Sequence, residues 1–238
     1  MLSVFVVVLS LSLTSFVFAA NPNGAKTVTS VSNTTAATDS AGSHAAYSGN
    51  ISEVTLTADL SSGAWAGYYG NVTGIIELAD SSNNVLYNWT KTDAVSGEVF
   101  ASINSSITWA TIGCFNLSAD NALELADLQA WFNIGADDGD RINLTFDDTT
   151  HSSFTIASQT FNANQCNSTD LYGPGGAATF QEVLLLDASN RTVYASIIDD
   201  DTAGFDSALY DFEMIVPEDG HSGDASATVY YFYVDISA

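Results

Sequence analysis

Positive charge is nearly missing from this chain. Lys26, Lys91, Arg141 and Arg191 are its four basic side chains apart from three histidines, against 28 acids, for a formal net charge of −24. Nucleic acid and anionic lipid would repel such a surface, so neither is an expected partner. That charge also calls for counter-ions, which fits a salty habitat or bound divalent cations. The acids are 21 Asp and 7 Glu, a bias that suits a salt-adapted surface and equally a turn-rich β protein.

Long apolar runs are scarce. One stretch, residues 2–18, carries no charge and is followed by Ala19 and Ala20. It has the form of a secretory signal peptide over residues 1–19, cleaved after Ala19 or Ala20, although the basic leader region is missing. A retained anchor is the alternative. At about 17 residues the run is short for a span, and no basic flank follows it. No second run of that length occurs, so no membrane span is expected in the mature chain.

Cysteine is limited to Cys114 and Cys166, and neither sits in a Cys-x-x-Cys pattern. Haem attachment and thioredoxin-type redox chemistry are thereby excluded. In an exported chain the default is a disulfide. It would close a loop of about 50 residues, a constraint of about 4 kcal/mol in the chain-entropy treatment. Two buried free thiols are the alternative.

Catalytic signatures are missing as well. There is no Gly-x-Ser-x-Gly elbow, no His-Glu-x-x-His and no glycine-rich phosphate loop. His44 lies in a polar arm; His151 and His221 read as solvated turn residues. Glu182 and Glu213 fall on predicted strands and could meet as the carboxylate pair of a glycoside hydrolase. Nothing in the pattern puts them in a groove, so the expectation is a protein that is not an enzyme and holds no organic cofactor. A structural Ca²⁺ is the one cofactor considered. Asp199, Asp200, Asp201 and Asp206 form one acidic loop; Asp137, Asp138 and Asp140 around Gly139 form another. Calcium takes six to eight oxygens from such clusters, though neither loop has the EF-hand spacing.

Asn-x-Ser/Thr acceptors, by contrast, are abundant. Nine occur, at Asn33, Asn50, Asn71, Asn88, Asn104, Asn116, Asn143, Asn167 and Asn190. With 17 Asn in a Ser/Thr-rich chain, chance gives about four. The excess, together with the leader, points to covalent N-glycans on an extracellular protein. Asn143 is expected on a strand face opposite Ile142, Leu144 and Phe146, and so in solvent. Asn190 falls in a predicted hairpin turn. Asn88 lies between Tyr87 and Trp89, both expected to pack.

The organisation follows from texture. Residues 20–48 are a Ser/Thr-rich extended arm. Residues 49–238 read as an all-β domain, a β-sandwich or jelly-roll-like pair of antiparallel sheets. Strands are expected at 54–58, 72–79, 85–89, 98–103, 142–146, 154–156, 179–187, 192–198, 210–216 and 227–236. One short helix is expected within 121–134, capped by Asp120 or Asn121, with Leu123, Leu125, Leu128, Trp131 and Phe132 forming one face. A weak repeat links residues 77–87 to 184–194, matching Leu78 with Leu185, Asp80 with Asp187, Ser82 with Ser189, Asn83 with Asn190 and Tyr87 with Tyr194. An ancient duplication would explain it. So would the shared turn chemistry of Asp-x-Ser-Asn.

Several stretches carry a resemblance. The run Trp65, Gly67, Tyr69, Gly70, Asn71, Val72, Thr73, Gly74, the hairpin after it, residues 97–102, and residues 212–221 resemble a group of secreted archaeal surface proteins to which no activity is assigned. The likeness spans about residues 49–238. It implies export, a β-rich fold and a place on the cell envelope or in extracellular appendages. The function expected is therefore a secreted, glycosylated structural protein, a homo-oligomer or polymer forming a filament or surface layer. Weak alternation from Lys26 to Ser32 would let the arm add a strand to a neighbour's sheet. A lectin-like module using Trp65, Tyr68 and Tyr69 on a sugar is the alternative, and a secreted glycoside hydrolase a third reading. Tyr69, two residues before Asn71, could instead seat the first sugar of the protein's own glycan.

Overall fold

Alternating aromatic and β-branched residues, punctuated by Asn, Asp and Gly, dictate short antiparallel strands. The computed structural model describes residues 21–37, 40–91, 95–118, 123–219 and 227–236. The predicted leader 1–19, the helix caps Asp120 and Asn121, and His221 lie outside the described residues. In chain order the strands are β1 Asn23–Gly24, β2 Trp65–Gly70, β3 Gly74–Ala79, β4 Val85–Lys91, β5 Gly97–Ser102, β6 Gly113–Cys114, β7 Phe154–Ile156 and β8 Gln159–Phe161. They continue with β9 Ser168–Tyr172, β10 Ala178–Leu186, β11 Thr192–Ile197, β12 Thr202–Ala203, β13 Leu209–Tyr210, β14 Phe212–Pro217 and β15 Tyr231–Ile236. Among the described residues the helical elements are two short α-helices, α1 Leu125–Trp131 and α2 Ile142–Thr145, and two 3-10 turns, Trp109–Thr111 and Pro174–Gly176. The chain is all-β and sandwich-like, as its texture predicts.

A central antiparallel sheet runs in the order β1-β15-β5-β11-β10-β6, with β9 sharing the outer edge of β10. Period-2 alternation sends its side chains to two faces. Val99, Ala101, Leu184 and Tyr194 face one core, closed by Met214 and Val216 of the β2–β14 pair and by Leu128, Ile142 and Phe146 from the helices. Phe100, Val183, Leu185, Val193 and Ala195 face a second core, closed by Phe154, Ile156 and Phe161 of the β7–β8 hairpin and by Trp109. Burial on both faces explains why β5 is buried at every position. Cys114 and Cys166 are bonded, with Cα atoms 5.1 Å apart, which ties β6 to the segment entering β9.

Four local expectations need correction. Residues 54–58 alternate like a strand but form none; Val54 is 53% and Leu56 87% exposed. Their pattern has no partner strand among the described residues. Residues 142–146 form a helical turn, with Thr145 and Phe146 N–H bonded to the carbonyls of Arg141 and Ile142. Ile142 and Phe146 are buried while Leu144 is half exposed. Spacing i, i+4 belongs to one face of a helix and of a strand alike, and only the middle residue tells them apart. Asn143 therefore does not stand on a strand; its Oδ1 accepts a bond from Arg141 Nε at 3.1 Å. In α1, which follows an uncapped Glu124, Leu128 is buried, but Trp131 turns outward and is 49% exposed.

His151 is the fourth. It is buried rather than solvated. Its Nδ1 lies 2.8 Å from the Ser152 carbonyl, and its Nε2 accepts the N–H groups of Gln165 and Cys166 at 3.0 and 2.9 Å. This pattern requires a neutral ring protonated at Nδ1. The ring is a brace for the disulfide loop.

Candidate functional site

Strand β15 pairs with β5 along its whole length, from Tyr231 opposite Ser102 to Ile236 opposite Gly97. On its other side it meets only β1, at Asn23 opposite Val234 and Gly24 opposite Tyr233, with Ala25 N–H donating to the Phe232 carbonyl at 2.9 Å. Three of the six residues of β15 (Tyr231, Asp235 and Ile236) thus have no strand partner on that edge among the described residues. Beside this short junction lies an open groove of about 350 Å³, lined by Ala25, Val28, Tyr230, Tyr231, Phe232 and Tyr233. An unpaired edge is a template for a further strand.

The arm leaves this edge and covers little. Every described residue from 26 to 63 is exposed, and none is in a helix or strand. Val31, Ile51, Leu56 and Leu60 are each more than 85% exposed. The arm touches the body where Ser32 Oγ lies 3.3 Å from the Tyr69 hydroxyl and where Ser62 donates to the Asp140 carboxylate.

The three aromatics proposed as a sugar platform do not share a face. Trp65 packs toward Phe146, with its Nε1 donating to the Asp140 carbonyl, and Tyr68 sits edge-on to Phe232 in the core. Tyr69 alone faces outward. There it meets Phe205 and Tyr210, with ring centroids 4.9 and 4.8 Å away. Phe205 sits in a loop where no periodicity marks a face, and Tyr210, expected to open the strand 210–216, lies instead in the separate two-residue β13. Tyr210 donates to Asp206 Oδ2 at 3.0 Å. Desolvation, that bond and the Asp206 charge push its hydroxyl up to about 12.

The acidic loops are held by internal bonds. Asp206 accepts the Ala208 N–H as well as the Tyr210 hydroxyl. Asp199 N–H is bonded to the Asp211 carbonyl, and Asp201 N–H points at Asp211 Oδ1. In the other loop Asp138 Oδ2 accepts the Gly135 N–H. Among the described residues no three His, Cys, Asp or Glu side chains gather into one ligand set. No three of Asp199, Asp200, Asp201 and Asp206 form such a set.

Comparison of the chain with protein families, with curated proteins and with solved structures gave no match.

Glu182 and Glu213 are not a groove pair. Glu182 is fully buried and accepts the Ile215 N–H at 2.8 Å. Glu213 Oε1 accepts the Phe205 N–H at 2.8 Å. Burial holds the Glu182 carboxyl well above its ordinary range and raises Glu213 also. Glu182 satisfies an N–H on the free edge of β14, and Ser196 Oγ satisfies the Glu213 carbonyl there at 2.7 Å. These polar side chains seal a strand edge against the central sheet.

The acceptor asparagines divide by exposure. Asn33, Asn50, Asn71, Asn88 and Asn116 are exposed; Asn104, Asn143, Asn167 and Asn190 are half-buried. Asn167 is tied at both amide atoms, Oδ1 to Leu117 N–H and Nδ2 to the Phe146 carbonyl. A glycan on that nitrogen would cost the second bond. Among the described residues no helix is long and apolar enough to cross a membrane.

Proposed function

We propose that this is a secreted, N-glycosylated structural protein that assembles with copies of itself, its N-terminal arm adding a strand to the β15 edge of a neighbour. The observation that carries the reading is the mismatch at that edge. A two-residue strand occupies an edge six residues long, and it leads into an exposed arm with strand-like alternation and no strand partner of its own among the described residues. Strand addition supplies main-chain bonds along the edge and a groove for alternate side chains. Five exposed acceptors and the leader agree with an extracellular setting. The reading assigns the protein no catalytic role.

The test uses the doubly substituted full chain Asn23→Cys/Val234→Cys, whose Cα atoms face each other across the β1–β15 pair. Strand donation predicts disulfide-linked ladders on denaturing gels and filaments or arrays by electron microscopy. Monomers closed only on themselves at every concentration would overturn it.

A second reading is favoured by the outward cluster of Tyr69, Phe205 and Tyr210 beside Asp206, since aromatic faces next to carboxylates suit sugars. Retention on polysaccharide that is lost on Phe205→Ala would support that reading. Retention that survives the change would remove it.

A further inference from the structure

Among the described residues strands β3 and β4 pair only with each other, a ribbon outside the central sheet. Register decides what the ribbon presents. Near the turn Ala79 faces Val85, but the next pair is Leu78 with Tyr87, so Leu86 is an extra residue bulged out of the ladder and 81% exposed. A one-residue slip moves every later side chain to the other face. Without Leu86 to absorb it, Tyr87 and Trp89 would stand opposite Glu77 and Ile75. With it, Ile76 faces Trp89 and Leu78 faces Tyr87. Four large apolar side chains therefore share one face, while Glu77 and the glycan acceptor Asn88 share the other.

That apolar face is open. Ile76 is 41%, Leu78 52%, Tyr87 58% and Trp89 51% exposed, and the two rings touch edge-on with centroids 4.8 Å apart. Their free surface is on the order of 500 Å², the size at which exposed patches mark interaction sites. A ribbon of two strands is by itself marginal in water.

We propose that this face is a self-association surface, closing against the same face of a second copy about a two-fold axis. Two such faces bury roughly 1,000 Å², the lower bound of a specific interface. An isologous contact needs only one self-complementary patch. Charge favours this place over the rest of the surface. Residues 74–91 carry Glu77, Asp80 and Lys91, a net of −1 (two acids, one base), in a chain of −24. Like-charged copies meet there with the least repulsion. A glycan on Asn88 would project from the opposite face and leave the contact clear. The inference rests on the assembly reading and gives it a second contact, independent of the arm.

Sedimentation velocity of the full mature glycoprotein tests it. The unaltered chain forms a dimer whose affinity rises with salt, because salt screens the repulsion. Trp89→Asp weakens the dimer by at least about thirtyfold, the scale of a buried aromatic anchor. Glu77→Gln, on the other face, leaves it unchanged. Leu78→Ser repeats the test if Trp89→Asp fails to fold. Where the Asn23→Cys/Val234→Cys chain closes on itself instead of forming ladders, strand donation has failed, and that locked monomer still dimerises through the ribbon, so the two failures are told apart. A locked chain that stays monomeric at high salt, or a dimer indifferent to Trp89→Asp, overturns the proposal. In either case hydrogen exchange on the monomer would show whether the arm covers the face instead.

Discussion

Two hairpins in this molecule turn in the same way and meet opposite fates. In β3–β4, Asp80 Oδ1 accepts the N–H groups of Ser82 and Asn84, and Asn83 takes a φ of 62°. In β10–β11, Asp187 Oδ1 accepts those of Ser189 and Arg191, and Asn190 takes the same φ. The closing backbone bonds match too, from Asp80 to Asn84 and from Asp187 to Arg191. Yet Leu185 and Tyr194 are fully buried, while Leu78 and Tyr87 are more than half exposed. Turn chemistry is a local property of four or five residues. Burial is conferred by neighbours, and β11 has β5 beside it where β4, among the described residues, has no second strand partner.

The comparison breaks most sharply at the tyrosines. Tyr194→Ala should cost about 3–5 kcal/mol in denaturant titration, the price of an emptied core site. Tyr87→Ala should cost under about 0.5 kcal/mol in the monomer. Equal costs would mean that the ribbon is already covered within one chain.

Acidity should separate the two regions in opposite directions. In the sheet that holds β11, Glu98 on β5 faces Asp235 on β15, and burial with that charge raises its carboxyl to about 8. Its contribution is complete below its ordinary 4.5 and is lost as pH rises to about 8. The slope is at most about 1.4 kcal/mol per pH unit. Glu98→Gln should flatten the fall in melting temperature across that range. In the ribbon, bonds from the Asn84 side chain and backbone and from Ser82 hold the Asp80 carboxyl below its ordinary 3.8. Its contribution is present above that value and lost as pH falls below it. Chemical shifts of residues 80–84 should therefore change only in strong acid, and the Asp80→Ala chain should lack that transition.

The smallest contrast lies in the turn aspartates. Asp187 is buried and also accepts the Thr108 N–H at 3.0 Å. Asp187→Ala strands several donors and should cost about 2–3 kcal/mol. Asp80→Ala, in open solvent, should move the melting midpoint far less.

The repeat in the sequence was legible at the turn and misleading beyond it. Tyr87 and Tyr194 align in the one-dimensional string. Past the bulge, however, Tyr87 faces Leu78, whereas Tyr194 faces Leu184. Strands β5, β7, β10, β11, β14 and β15 were readable because alternation records which face is covered, whereas β2, β9 and the shorter β1, β6, β8, β12 and β13 were not. Where pattern is shared between states, as for Ile142 and Phe146, it could not choose. Where a strand pattern has no partner among the described residues, as at Val54 and Leu56, it predicted a pairing that does not form there. The disulfide was readable because two cysteines allow one pairing. The ring cluster around Tyr69 was half readable, since Phe205 and Tyr210 arrive from a distant loop. The brace at His151 left no trace, for its partners are backbone N–H groups.

Strand β5 sits between β11 and β15, and its register with β15 joins Ser102 to Tyr231. That pairing cannot form until residues 231–236 have left the ribosome, so one side of a fully buried strand waits while residues 103–230 are made. Contacts so distant in sequence slow folding. The unfinished edge is also where newly made chains would stick to one another. A protein built this way gains from being kept unfolded until residues 231–236 are available to pair.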